Sequence, residues 1–128
     1  GAIRESGNTD RIVRLTNVSV AEHAALIRHA TVLCFPSLYE GFGLPPLEAL
    51  RVGTPVVATA VGALPELISD RVPLISPGDT VALTEALVAV VEDPSVDPAV
   101  VNRITGMTWE RAAGEMTAVY QRVAADVD

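Results

Sequence analysis

Two short apolar segments and the helical pattern between them constrain the fold of this chain most strongly. The segments "TVLCF" at residues 31–35 and "PVVAT" at 55–59 are apolar at consecutive positions, as in strands buried on both faces. Between them, residues 44–52 have the composition of a helix, and Gly53 stands where a left-handed helix cap is expected. Because strands joined through a helix normally run parallel in one sheet, the pattern predicts a β-α-β unit.

The rest of the chain continues this alternation. "RIVRL" at residues 11–15 predicts an earlier strand, and Ser19 with Glu22 predicts a capping box at the start of a helix. The apolar face of that helix would consist of Val20, Ala24 and Ile27. Further predictions are a helical turn at "LPELIS", a strand at 72–75, a helix capped by Asp79, and helical structure from about Val96 onward, with Trp109 opening the last helix. The pattern predicts an α/β fold, a Rossmann-like parallel sheet with helices on both faces.

Composition and charge exclude several classes of protein. A chain of 128 residues predicts one domain, and its net charge of −7, with nine arginines and no lysine, does not favour nucleic-acid binding. Cys34 lies in an apolar run, which predicts a buried core residue and not a nucleophile, and a single cysteine fits a reducing, cytoplasmic setting. No apolar stretch reaches the roughly 18 residues of a membrane span, and residues 1–11 lack the apolar core of a signal peptide.

The loop between the two apolar segments has features of an anion site. Ligands of open parallel sheets bind where the strands end and helices begin, which is where "SLYEGFGLPPLEAL" lies. Gly41 and Gly43 allow unusual backbone angles and close approach to a ligand, whereas Pro45 and Pro46 contribute no N–H. The amides left to point outward are those of Phe42, Gly43 and Leu44. Together with the helix dipole they favour an anion such as a phosphate.

Two carboxylates flank this loop. Glu48, one turn into the helix, can as an ionised group only accept hydrogen bonds, which suits a vicinal diol such as that of ribose. Glu40 could accept from the hydroxyls of a second sugar or stabilise positive charge at an anomeric carbon. The combination indicates a sugar-nucleotide site, but both acids could equally be solvated residues near a positive helix end. His23 and His29 are more typical of helix surface positions than of catalytic bases, and no cluster has metal-ligand spacing.

The segment "PSLYEGFGLPPLEALRVGTPVVATAVGALPELI" resembles the nucleotide-sugar-binding region of the group 1, or family 4, glycosyltransferases. The resemblance includes the seven residues between Glu40 and Glu48, the Gly-Phe-Gly among them, Gly-x-Pro-Val-Val from Gly53, and Pro65 with Glu66. The segments "NVSVAEHAALIRHATVLCFPS" and "TWERAAGEMTAVY" are similar to the flanking parts of that region, so the resemblance covers most of the chain.

The resemblance implies a GT-B fold, in which two Rossmann-like domains enclose the active site. Residues 1–128 would then be a partial C-terminal domain that binds the nucleotide-sugar donor of a retaining enzyme. It further implies that Glu40 is catalytic and contacts the transferred sugar and that Glu48 contacts the ribose. The diphosphate side would be held by the backbone of Gly41, Phe42, Gly43 and Leu44, and the base by Asn17 and Val18. Catalysis would need no tightly bound metal or other cofactor.

Two departures from the family pattern limit these implications. The family usually has glycine where Thr16 and Asn17 stand, which affects the base contacts. The family's Arg and Lys for the leaving diphosphate, and its acceptor-binding N-terminal domain, have no counterpart in this sequence. The chain is therefore expected to be part of a larger enzyme, inactive alone and able to self-associate through an unpaired sheet edge. The full-length protein could lie at the inner membrane surface. A non-catalytic nucleotide-binding or interaction module of the same fold is the alternative.

Overall fold

The computed structural model describes residues 2–125, and its centre is a three-stranded parallel sheet. Strands β1 (Leu33–Phe35), β2 (Val56–Thr59) and β3 (Leu74–Ile75) lie in the order β1-β2-β3, so sheet order follows chain order. Leu33 pairs with Val56 in the first ladder, and Ala58 pairs with Leu74 in the second. The predicted α/β fold with a parallel sheet is confirmed.

The described residues contain seven helices. They are α1 (Ala2–Glu5), α2 (Val20–His29), α3 (Leu44–Arg51), α4 (Leu64–Ile68), α5 (Thr80–Glu92), α6 (Pro98–Thr105) and α7 (Trp109–Ala125), and a 3-10 turn spans Thr9–Arg11. The capping box of Ser19 and Glu22 is present, and the Asp79 side chain accepts from the Ala82 amide. Gly53 has the expected left-handed conformation, with φ of 81°. The predicted final helix is confirmed to Ala125, and residues 126–128 lie outside the described part.

The hydrophobic core lies between one face of the sheet and the helices α3, α4 and α6. Its buried members are Ile27, Leu47, Ala49, Leu50, Val56, Ala58, Leu64, Ile68, Val72, Val100 and Ile104. Helix α3 is central, because it packs against β1, β2 and α6, and its Pro46 and Leu50 are fully buried. The position of the loop before α3 is therefore set by a helix that is packed into the core.

Strand β2 is covered on both faces. Val56 and Ala58 belong to the core, whereas Val57, which points the other way, is 2% exposed. Helix α5 contacts β2, and it is the element that covers this second face. The prediction of helices on both faces is therefore confirmed for the central strand.

Strand β1 lies at the sheet edge, which corrects two predictions. Its pattern predicted a strand buried on both faces, with Cys34 in the core, yet Cys34 is exposed between the half-buried Leu33 and Phe35. The cause is that α5 packs on β2 and leaves the second face of β1 open. Partial desolvation still raises the pKa of the Cys34 thiol. A raised pKa disfavours the nucleophilic thiolate, in line with the prediction that Cys34 is not a nucleophile.

The strand predicted at residues 11–15 is wrong. Arg11 ends the 3-10 turn, and the residues after it belong to no strand, although Ile12 is extended with φ of −112° and ψ of 117°. A segment forms a strand only when it is hydrogen-bonded to a neighbouring strand, and within residues 2–125 β1 pairs with β2 alone. The apolar side chains of Ile12, Val13 and Leu15 remain exposed as a result.

Helix α2 forms as predicted, but its apolar face is mostly uncovered. Of the three predicted face residues only Ile27 is buried, whereas Val20 is 88% exposed and Ala24 is also exposed. The end of α2 is attached to the segment before β2, because the buried Thr54 hydroxyl donates to the Ile27 carbonyl at 2.8 Å. No helix within the described range is long and apolar enough to cross a membrane.

Ion pairs attach α6 to the segment that follows α4. Arg103 donates to both carboxylate oxygens of Asp70, at 2.9 and 2.7 Å, and to the Leu67 carbonyl at 2.9 Å. Arg71 donates to Asp97 at 2.8 Å. The hydrogen bond from Arg103 lowers the pKa of Asp70, and the backbone amide of Ala99, followed by Arg71, lowers that of Asp97.

Candidate functional site

The loop between β1 and α3 rests on strand β2 and on the turn that follows it. The buried Thr59 side chain of β2 donates its hydroxyl to the Ser37 carbonyl. Beyond β2, the Ala63 amide donates to the Gly41 carbonyl at 3.2 Å. The first half of the loop is therefore held by hydrogen bonds from residues that lie more than 20 positions later in the chain.

Gly62 is the closest support of this loop. It has φ of 58°, and a Cβ atom added to it would lie 2.6 Å from the Glu40 carbonyl oxygen and 2.7 Å from that of Gly41. Both the left-handed backbone and the close approach therefore require glycine here. The peptide that follows Glu40 is positioned directly against this residue.

The two glycines of the loop have different roles. Gly43 has φ of 84° and precedes α3, and a Cβ atom on it would lie 2.9 Å from the buried Leu64 side chain. Gly41 is absent from the residues with positive φ, and a Cβ atom on it would meet no atom within 4 Å. Gly43 is thus required by conformation and packing, whereas Gly41 leaves open space above the backbone.

Three consecutive amides at the start of α3 have no partner. In the described part of the chain, no group accepts a hydrogen bond from the N–H of Phe42, Gly43 or Leu44. Pro45 and Pro46 follow and have no N–H. The amides that the sequence predicted to be free are therefore free, and they lie at the positive end of the helix dipole.

Glu40 lies in the loop just before these amides. It is half-buried, and its Oε1 accepts a hydrogen bond from the Ser37 hydroxyl at 2.8 Å. Because the same Ser37 also has its carbonyl bound by Thr59, the carboxylate is connected to β2 through a single residue. Oε2 of Glu40 has no hydrogen bond within residues 2–125.

Glu48 lies in the second turn of α3 and faces solvent. Its carboxylate Oε2 is 3.9 Å from Nδ1 of His23 on helix α2, and the two side chains are 53% and 46% exposed. Sequence reasoning found no histidine near either acid because the two residues are 25 positions apart and meet only when α2 packs on α3. No local pattern signals this contact.

An open cleft of about 840 Å³ lies beside Glu48. One wall comes from the start of α3 and includes Phe42, Leu44, Glu48 and Arg51. The other wall comes from the α6–α7 connection, where Met107, Trp109 and Glu110 line it. The sequence had marked Trp109 only as a helix start, so its exposure at this cleft is a finding of the structure.

The structure brings together only some of the predicted site residues. Phe42, Leu44 and Glu48 share the cleft, whereas the side chain of Glu40 is not part of its lining. Val18 lines a different groove, of about 630 Å³, against α2. Asn17 has φ of 58°, the left-handed conformation that glycine would readily adopt there. Within the described residues, no cluster of His, Cys, Asp and Glu could hold a metal ion.

Comparisons with known proteins show the family to which the chain belongs. The family described as "Glycosyl transferases group 1" matches residues 2–93. MMP alpha-(1->4)-mannosyltransferase from Mycolicibacterium hassiacum is 36% identical over 133 residues, covering 98% of this chain and 32% of that protein. D-inositol 3-phosphate glycosyltransferase from Kribbella flavida is 42% identical over 100 residues, covering 73% of this chain and 24% of that protein.

A solved structure shows the same fold. The sucrose-phosphate synthase of Thermosynechococcus elongatus superposes with a TM-score of 0.80 at 30% identity, covering 98% of this chain and 33% of that chain. The chain therefore spans about a third or less of the length of these relatives. Since the family match covers more than half of its residues, this chain belongs to the group 1 glycosyl transferases and has the α/β architecture of a GT-B glycosyltransferase.

Proposed function

We propose that this chain is the donor-binding portion of a retaining glycosyltransferase, which transfers a sugar from a nucleoside-diphosphate sugar to an acceptor hydroxyl. The observation that carries the proposal is the start of α3, where three free amides lie between two carboxylates. Amides at a helix start suit a phosphate, and carboxylates suit hydroxyls. A sugar nucleotide offers both kinds of group in one molecule.

In this proposal, the backbone of the loop binds the diphosphate. The amides of Phe42, Gly43 and Leu44 donate to phosphate oxygens, and the open space above Gly41 admits the ligand close to the main chain. The hydrogen bonds need no rearrangement of the loop, since Gly62 and Thr59 already hold it. Preorganised amides of this kind also stabilise negative charge that builds up on a leaving diphosphate.

The two acids have separate roles. Glu48 accepts from the ribose hydroxyls, which suits its exposed position on α3. Glu40, with Oε2 free of hydrogen bonds, accepts from the transferred sugar and stabilises positive charge at its anomeric carbon. Asn17 and Val18 are assigned to the base on the resemblance alone, because Val18 lines a groove other than the cleft beside Glu48.

The acceptor is bound elsewhere in this proposal. Relatives about three times as long have room for a further domain, so we assign residues 1–128 to a partial donor-binding domain that is inactive without the acceptor-binding part. No tightly bound metal takes part. Nucleotide affinity should therefore be the same in EDTA as in magnesium, and a large loss in EDTA would contradict this point.

Nucleotide affinity tests the site. Glu48→Gln keeps the shape of the side chain and removes its charge, and charge-assisted hydrogen bonds contribute roughly 1.5–3 kcal/mol. We expect calorimetric titration with UDP and GDP to show an affinity about tenfold lower or more for whichever nucleotide binds. Glu85→Gln, at an exposed position on α5, is the matched control and should bind like wild type. Equal affinity in all three proteins would refute the assignment of Glu48.

Turnover distinguishes the enzyme from a non-catalytic module of the same fold. In the protein that also contains its acceptor-binding part, Glu40→Gln should lower the rate strongly and leave nucleotide affinity nearly unchanged, because the interaction forms mainly in the transition state. Nucleotide binding without transfer to any acceptor in the wild-type protein would favour the non-catalytic module.

A further inference from the structure

His23 lies where it can act on the ribose side of the proposed site. Helix α2 packs on α3, and this packing brings Nδ1 of His23 to 3.9 Å from Oε2 of Glu48. That distance lies within the range of an ion pair and beyond that of a direct hydrogen bond. In the described part of the chain, no arginine side chain comes within 4.0 Å of this carboxylate.

We propose that His23 is a positioning residue for Glu48, holding its carboxylate in the orientation that accepts hydrogen bonds from the nucleotide. The inference rests on the proposed role of Glu48 in binding ribose hydroxyls. His23 itself is not assigned a contact with the nucleotide. Its contact with Oε2 leaves Oε1 available for the ligand.

The proposed effect on affinity follows from the conformational freedom of an exposed glutamate side chain. Glu48 is more than half exposed, so without a partner its side chain samples several rotamers, and binding must select one of them. Immobilising a side chain of this kind opposes binding. A residue that holds the carboxylate before the ligand arrives removes part of that cost and so raises affinity.

The charged groups around Glu48 lie on three helices. His23 faces it from α2, Arg51 lies one turn further along α3, and Glu110 faces the same cleft from α7. Of these three side chains, His23 is the one that contacts the Glu48 carboxylate.

A double-mutant cycle tests the proposal. UDP and GDP are titrated into the protein and into His23→Ala, Glu48→Gln and the double variant. We expect His23→Ala to lower affinity roughly three- to tenfold. In the Glu48→Gln background the same substitution should have no further effect.

Two further variants separate positioning from a general structural role. His23→Gln, whose side-chain amide can donate a hydrogen bond to Glu48, should recover part of the affinity that His23→Ala loses. Arg28→Ala is the matched control, because Arg28 is exposed on the same helix and lines neither the cleft beside Glu48 nor the groove that contains Val18. It should bind nucleotide as wild type does.

The outcomes separate this proposal from the proposed function. If Glu48→Gln weakens binding and His23→Ala does not, positioning by His23 is refuted and the function stands. If the effect of His23→Ala persists in the Glu48→Gln background, His23 acts by another route and the proposal also fails. If Glu48→Gln binds like wild type, or the wild-type protein binds neither nucleotide, the proposed function fails and this inference with it.

Discussion

Replacing Gly62 by alanine tests how the loop of the proposed site is supported. The substitution adds one methyl group at a residue with φ of 58°, and that methyl would lie 2.6 and 2.7 Å from the carbonyl oxygens of Glu40 and Gly41. Both contacts are to backbone atoms, so no side-chain rotation can relieve them. Either the turn at Gly62 or the loop must move.

The magnitude follows from two contributions. A left-handed backbone costs about 1–2 kcal/mol for a residue with a Cβ atom. The steric overlap adds about 1–3 kcal/mol, as in other overpacked positions. We expect Gly62→Ala to lower the free energy of unfolding by about 2–5 kcal/mol, a large part of the roughly 5–15 kcal/mol of a typical domain. Nucleotide affinity should fall as well, because the loop amides shift with the Glu40 peptide.

Gly53→Ala is the matched control, since Gly53 has φ of 81° and no atom lies within 4 Å of the added methyl group. Its free energy of unfolding should fall only by the cost of the left-handed backbone, about 1–2 kcal/mol. It should bind nucleotide as wild type does. Urea unfolding gives the free energies, and titration with UDP and GDP gives the affinities. Equal destabilisation by the two substitutions, with unchanged affinity in both, would show that the contact between Gly62 and the loop does not position the site.

Four other outcomes are expected. Gly41→Ala should change the free energy of unfolding by about 0.5 kcal/mol or less but weaken nucleotide binding, because its methyl occupies the open space above the loop; unchanged affinity would contradict the proposed ligand position. Arg103 lowers the pKa of Asp70, so the contribution of Asp70 to folding stability is full above its unfolded pKa and is lost as pH falls through the lowered folded pKa. The melting temperature should therefore fall below about pH 4. The fall should be less steep in Arg103→Met. Thr54→Val removes the buried hydrogen bond to Ile27 and should cost about 1 kcal/mol in urea unfolding, and no loss would show that this bond does not stabilise the end of α2. The open edge of β1 predicts self-association, which sedimentation of a strictly monomeric species at high concentration would refute.

Local sequence signals predicted the elements whose causes are local. The capping box at Ser19, the left-handed Gly53 and the Asp79 cap each depend on residues within one turn, and all three are present. The free amides before α3 could also be predicted, because the glycines and prolines that create them are adjacent. For these features the sequence contains the whole physical cause.

The failures concern what lies beside an element. An apolar pattern indicates that a segment is buried, but it does not indicate which neighbouring element buries it. Residues 11–15 were therefore predicted to form a strand, although the sequence identified no strand with which they would pair. The same reason explains Cys34, which is exposed because α5 covers β2 and not β1. The contact of His23 with Glu48 depends on how two helices pack, and no spacing along the chain encodes it.

The two prolines at the start of α3 allow one side of its first turn to be buried. A helix start ordinarily leaves several N–H groups that need water, but Pro45 and Pro46 remove two of them, and Pro46 is fully buried. The turn can therefore be dehydrated at Pro46 without an amide there losing its water. With two fewer amides to hydrate, less loss of hydration from the helix would oppose the binding of an anion at Leu44 and the loop before it.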